Sequence, residues 1–265
     1  MNIDLTGKNA FVSGGSQGIG NAVAIELTKL GANVTIAART ETALIDAVVN
    51  LNMISSPFQQ HDYVVADYSD PDKLNTAINR HLRKHNKPFH ILVNNAGGPP
   101  QGLAIDANEE DFLAAFNTHL VSNHVLVKAF VEGMKQSNYG RIINIISTSV
   151  KQPLPNLGVS NTIRGAVASW SKTLANELGQ FGITVNNVLP GATETERLKA
   201  IIANKSKKVN KDLETVAKEM MNEVPLHRFA KPEEVAFAVA FLASPSASYI
   251  NGINLPVDGG RTSSL

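Results

Sequence analysis

The chain has 265 residues, 43% hydrophobic and 18% charged, and its 24 Lys+Arg against 23 Asp+Glu leave a net charge of +1. The length suits one large α/β domain, and the near-neutral balance gives no electrostatic reason to expect a nucleic-acid or membrane partner. With no cysteine, disulfides, thiol chemistry and zinc-thiolate sites are excluded and no metal site is expected. No apolar run approaches the roughly 18 residues of a membrane span, and Met1 to Lys8 have no leader-like stretch, so a cytoplasmic protein is expected.

In chain order, Asn9–Ser13 is a short apolar run that ends in glycines and reads as a strand. A helical pattern follows through Ala22, Ile25, Leu27 and Leu30, with Gly31 as its C-cap. Residues 34–37 predict a second strand, 41–51 a helix, 63–66 a strand, and Pro71–His85 a helix opened by Asp70. Residues 89–93 predict the fourth strand, 109–136 a long helix, 141–146 the fifth strand and 157–181 another long helix. A sixth strand at 183–188, a helix starting at Pro232 and a last strand at 253–257 complete the pattern. Strands alternating with helices predict a single α/β domain over 1–265: a doubly wound parallel sheet of about seven strands, with helices on both faces. The least regular stretch, 192–223, is polar and long, and is expected at the carboxyl ends of the strands as a substrate lid. Its basic run, 204–211, reads as a solvated face.

Between the first strand and the first helix lies Gly14-Gly15-Ser16-Gln17-Gly18-Ile19-Gly20. Gly14 permits the tight turn, Gly18 lets the backbone approach a pyrophosphate, and Gly20 lets helix and strand pack closely. The helix N-terminus then offers N–H groups and partial positive charge to the phosphates. Ser13 and Ser16 are candidate hydroxyl donors beside them. At the end of the second strand, Ala37-Ala38-Arg39-Thr40 carries no acid. An acid there would bond a ribose 2′-hydroxyl and repel a 2′-phosphate, whereas Arg39 can make charge-assisted bonds to that phosphate. NADP, as NADPH, is therefore expected in preference to NAD.

The spacing G-x-x-x-G-x-G resembles the short-chain dehydrogenase/reductase family, and other segments agree along the whole chain. They are Asn94-Asn95-Ala96-Gly97 after the fourth strand, Asn117 in the next helix and Ser147 at the end of the fifth strand. Pro190-Gly191 followed by Thr193 and Thr195, Pro225-Leu226-His227-Arg228-Phe229, Pro232-Glu233-Glu234-Val235-Ala236 and Val257-Asp258-Gly259-Gly260 also match. The branch it most resembles includes the bacterial 3-oxoacyl-carrier-protein reductases. The resemblance implies a Rossmann-type fold and hydride transfer between nicotinamide and a small-molecule or carrier-bound carbonyl or alcohol. It also implies a homotetramer or homodimer built on the two long helices. It places Asp67 on the adenine and Asn94 under the adenosine ribose. Gln17, Ile19, Ala96, Gly97, Pro190, Gly191, Thr193 and Thr195 would line the cofactor, and Gln17 stands where many NADP-preferring relatives have a second basic residue.

One element departs from the family. Its catalytic Tyr lies thirteen residues after the Ser, and its Lys four further on. Counting from Ser147 reaches Ser160 and Arg164, so the motif reads Ser160-Asn161-Thr162-Ile163-Arg164. A serine hydroxyl is a far weaker acid than a tuned phenol, and arginine stays protonated and relays no proton. Arg164 can still hold ribose hydroxyls and supply positive charge. Three readings stay open: a carbonyl reductase in which Ser147 and Ser160 bind the substrate oxygen and water or another group gives the proton; an enoyl- or dienoyl-thioester C=C reductase; and an NADP-binding sensor or scaffold without turnover. His119 and Lys151 are candidate contributors, although a packed histidine and a solvated lysine are the plainer readings.

Overall fold

The computed structural model describes residues 1–85 and 87–264; Asn86 and Leu265 lie outside the described residues. Seven strands, β1 (Asn9–Ser13), β2 (Asn33–Ala38), β3 (Asp62–Val65), β4 (Ile91–Asn94), β5 (Gly140–Ile145), β6 (Ile183–Pro190) and β7 (Asn254–Val257), form one sheet. All pairings are parallel, in the order β3-β2-β1-β4-β5-β6-β7.

Period-two alternation sends neighbouring residues of each strand to opposite cores. Ala10, Val12, Ile91, Val93, Ile143, Ile145 and Val188 face one of them. There they meet α1 (Gly18–Lys29), α2 (Glu41–Ile54) and α9 (Pro232–Ala243) through Val23, Leu27, Leu44, Leu51, Val235 and Val239. Phe11, Leu92, Ile142 and Val185 face the other. They meet α3 (Pro71–His85), α5 (Ser122–Gln136) and α6 (Gly158–Leu178) through Leu74, Ile78, Leu126, Phe130, Leu174 and Leu178. Both sheet faces are covered, which is why the strands read as apolar runs rather than as half-polar alternations. Strand order reverses between β1 and β4, so the crevice for a ligand opens above their carboxyl ends.

Two stretches differ from the sequence expectation. The predicted long helix at 109–136 is α4 (Glu109–Phe116), a π turn over Asn117–Val121, and α5. Such single π turns mark functional places in helices. The stretch expected to be least regular is largely helical, with α7 (Glu196–Val209) and α8 (Leu213–Asn222). Their starts are capped by Thr195, which accepts from the Leu198 N–H, and Asp212, which accepts from the Thr215 N–H. Polar composition concealed helices whose apolar positions are few but periodic. Among the described residues no helix is long and apolar enough to cross a membrane.

Candidate active site

The glycine turn is shaped as the spacing requires. Gly14 and Gly18 have φ of +59° and +55°, the left-handed region that favours glycine. A Cβ on Gly20 would lie 2.1 Å from the Gly14 carbonyl oxygen, and one on Gly14 would lie 2.6 Å from the Asn95 carbonyl oxygen. Helix α1 begins at Gly18, and its N-cap residue Gln17 makes no side-chain capping bond. The first-turn N–H groups are thus left to a ligand, and an anion is what such a terminus holds. From across the crevice, Thr195 approaches: its Cγ2 would touch a Cβ at Gly18 at 3.3 Å. Thr195 Oγ1 donates to the Thr193 carbonyl, and Thr193 Oγ1 donates to that of Gly191, so the segment after Pro190 is held as a compact rim. Ala96 and Gly97 lie in the loop that follows β4.

Two polar side chains beside the turn are enclosed in the fold. Ser13 is fully buried at the end of a central strand, while Ser16 is half-buried. Asn94 is 2% exposed and donates to Asn144 Oδ1 at 2.8 Å, inside the sheet. It is Asn95, which sequence reasoning passed over, that reaches the glycine turn, donating to the Ser13 and Gly14 carbonyls at 3.2 and 3.4 Å. Its signal was present in the doubled asparagine at the end of β4. Asp67 lies just beyond β3. The Ser69 backbone N–H and hydroxyl, with help from the charge of nearby Arg39, hold its carboxyl below the usual range despite partial burial. Arg39 itself is exposed at the end of β2.

At the other end of the crevice, α6 carries Ser160 and Arg164 one turn apart, 7% and 8% exposed. The helix packs against the turn after Ser147 and against the π turn that starts at Asn117. Ser147 Oγ accepts from the Ser149 N–H at 3.1 Å and so caps the short turn Thr148–Val150. Arg164 donates from Nη1 to the Ile145 carbonyl at 3.0 Å, at the end of β5. Burial, and next the charge of Arg197, lower its pKa to about 10, so the guanidinium is cationic at neutral pH. Among the described residues no carboxylate lies within ion-pairing distance of it. A buried cation without a carboxylate partner is costly.

His119, in the π turn, is 2% exposed. Burial, then the Arg164 and Arg197 charges, push its pKa to about 2. It is a neutral, packed histidine, unable to serve as a neutral-pH acid; Lys151 is exposed. Arg197, from α7, donates to the Gly98 and Pro99 carbonyls at 2.9 and 3.1 Å and fastens the 192–223 stretch to the loop after β4. That loop is tied in turn to the start of α6, where Gly102 N–H donates to the Asn156 carbonyl and Gly158 N–H to that of Gly102.

Across residues 14–262 the chain matches a family described as enoyl-(acyl carrier protein) reductase. It is 32% identical to the 3-oxoacyl-(acyl-carrier-protein) reductase FabG of Pseudomonas aeruginosa, over 97% of this chain and 98% of that protein. It is 30% identical to the NADPH-dependent reductase BacG of Bacillus subtilis, over 97% and 99%. Among solved structures, L-sorbose reductase from Gluconobacter frateurii, complexed with NADPH and L-sorbose, superimposes with a TM-score of 0.93 at 30% identity, covering 100% of both chains.

Proposed function

The chain belongs to the short-chain dehydrogenase/reductase family, and from that premise we propose that it is an NADPH-dependent reductase of a carbonyl compound whose site stabilises the product oxyanion by charge. NADPH, when bound, supplies the hydride. The glycine turn and the open N-terminus of α1 would hold its diphosphate, Arg39 its 2′-phosphate, and the Gly191–Thr195 rim the nicotinamide end.

The observation that carries the reading is the pair Ser160 and Arg164, buried one turn apart on α6, the helix that packs against the turn following Ser147. Hydride arriving at a carbonyl carbon leaves negative charge on its oxygen. A fixed guanidinium and two hydroxyls stabilise that charge in a water-poor site without transferring a proton, and one such donor is typically worth about 10²–10³ in rate. The proton then comes from solvent. Asn117 opens the π turn that sets the wall beside Arg164. The 192–223 stretch, latched by Arg197, closes the pocket over a small-molecule or carrier-bound substrate.

An enolate, formed when hydride adds to the far carbon of an enoyl thioester, needs the same charge at its oxygen. The cation that cannot release a proton favours this as the second reading. The test follows NADPH oxidation with oxo-acyl, sugar-ketone and enoyl-thioester substrates. Turnover is expected in the wild type. In Arg164→Met kcat should fall at least about a hundredfold, while NADPH affinity changes less than tenfold. In Ser160→Tyr/Arg164→Lys a conventional proton donor is restored, and a pH-dependent rate tracking the new phenol is expected. NADPH binding without oxidation by any oxo or enoyl compound would overturn the proposal and leave a nucleotide-binding protein.

A further inference from the structure

Far from the glycine turn, at the opposite end of edge strand β3, a second cluster of donor atoms stands together. Asp62 is the first residue of β3, and His81 and His85 occupy the last two turns of α3 at a spacing of four, on one helix face. Asp62 Oδ2 lies 3.0 Å from His85 Nε2 and 4.0 Å from His81 Nδ1. All three ligand atoms lie within 4.8 Å of one another. The two imidazoles are tilted against each other, centroids 4.4 Å apart at 31°, with His81 stacked on Phe89. Oδ1 of Asp62 accepts the Tyr63 N–H at 2.7 Å, which leaves Oδ2 turned to the histidines.

A simple ion pair does not account for this arrangement. His85 Nε2 is buried and has no hydrogen-bond partner, although the Asp62 carboxylate lies 3.0 Å away. We propose that Asp62, His81 and His85 form a binding site for a first-row divalent transition metal of the Zn²⁺ class. Two imidazole nitrogens and one carboxylate oxygen are the donor set such ions prefer over Ca²⁺ or Mg²⁺. With bonds of about 2.1 Å, tetrahedral ligand atoms stand about 3.4 Å apart. The separations of 3.0 and 4.0 Å bracket that value, and small side-chain rotations close the difference. His81 is 9% exposed, whereas His85 and Asp62 are about one-third exposed, so a water can complete the shell. The ion would staple the sheet's edge strand to α3, with no part in hydride transfer. In sequence the signal is His81-Leu82-Arg83-Lys84-His85, but the carboxylate that completes it lies nineteen residues upstream of His81 and is brought in only by the fold.

The test titrates ZnCl₂ into the metal-free full-length protein by calorimetry, with CoCl₂ as a spectroscopic probe. One ion per chain with micromolar or tighter affinity is expected. Visible d–d bands of low-coordinate Co²⁺ and a Zn²⁺-dependent rise in Tm should accompany it. Asp62→Asn and His85→Gln should each weaken binding at least tenfold and abolish the Tm rise, with NADPH binding and turnover unchanged. Absence of binding to the wild type, or binding of unchanged affinity in both variants, overturns the site. If a variant fails to fold by circular dichroism, the Co²⁺ spectrum of the wild type decides: low-coordinate bands with metal-shifted imidazole NMR signals support the site, and their absence overturns it. Because the readout is metal binding, the result is independent of whether the reductase reading holds.

Discussion

Gly20→Ala isolates the steric logic of the phosphate turn. The added methyl would stand 2.1 Å from the Gly14 carbonyl oxygen and 2.7 Å from Asn95 Nδ2. The first is about 0.9 Å inside the 3.0 Å that real Cβ atoms essentially never cross. The obstacle is backbone, so the turn itself must open. Overpacking of this kind costs about 1–3 kcal/mol, and it falls on the conformation that aims the α1 N–H groups at the phosphates. If the bound state needs the unopened turn, the same energy appears in binding, and NADPH affinity falls by roughly 5- to 150-fold. Gly165→Ala is the matched control: the same chemical change inside α6, where a Cβ meets nothing within 4 Å. It should raise stability by up to about 1 kcal/mol and leave affinity alone. Fluorescence titration with NADPH and thermal melts measure both. A Gly20→Ala protein that binds NADPH within threefold of wild type, at unchanged Tm, would refute the argument that this turn is held to its shape by close packing.

Two further outcomes follow from charge. His119 is held neutral, with its pKa pushed from 6.5 to about 2. The unfolded chain therefore takes up a proton that the folded one refuses, so this group's contribution is present above pH 6.5 and is lost as pH falls below it. From pH 7 to 5 the loss is about 2 kcal/mol. His119→Gln should flatten the acid limb of urea-derived stability by about that amount, leaving the slope from His61, His81 and His90, whose pKa values burial also lowers; an identical slope in the variant would count against it. Arg39→Ala should weaken NADPH about tenfold or more while leaving NADH affinity within twofold, since only the former carries the 2′-phosphate; equal losses for both cofactors would show that Arg39 supports the fold rather than the phosphate.

What was legible in the chain was whatever short-range pattern controls. Apolar runs bounded by glycine or polar residues located each of the seven strands to within a few positions, because strands covered on both faces are mostly apolar. Gly14, Gly18 and Gly20 were readable because their spacing alone encodes a turn and a close approach. The counting from Ser147 placed Ser160 and Arg164 on one helix face, and the fold buries both there. Illegible were the features that need distant partners. The π turn at Asn117–Val121 has no composition of its own, and the burial of Ser13 depends on neighbours in β2 and β4. The latch from Arg197 to Gly98 and Pro99 joins positions about a hundred residues apart.

The asparagines show how such distant pairing supports the site. Asn94, Asn144, Asn187 and Asn254 are register partners on β4, β5, β6 and β7, one rung of the sheet. Their amides join in a line: Asn94 donates to Asn144 at 2.8 Å, Asn144 to Asn187 at 3.0 Å, and Asn187 to Asn254 at 2.8 Å. Ser171 joins from α6, accepting from Asn144 and donating to Asn187, both at 2.7 Å. Buried amides are tolerable when nearly all of their groups are bonded; here Asn94 Oδ1 is left without a partner, and the remaining bonds still admit few alternative arrangements. Slipping β5 against β6 by one residue would turn Asn144 away from Asn187. The rung therefore sets strand register and, through Ser171, the depth of α6 against the sheet. Ser160 and Arg164 lie on that same helix, so the position of the buried cation at the end of β5 is fixed from below by a polar contact about two turns away.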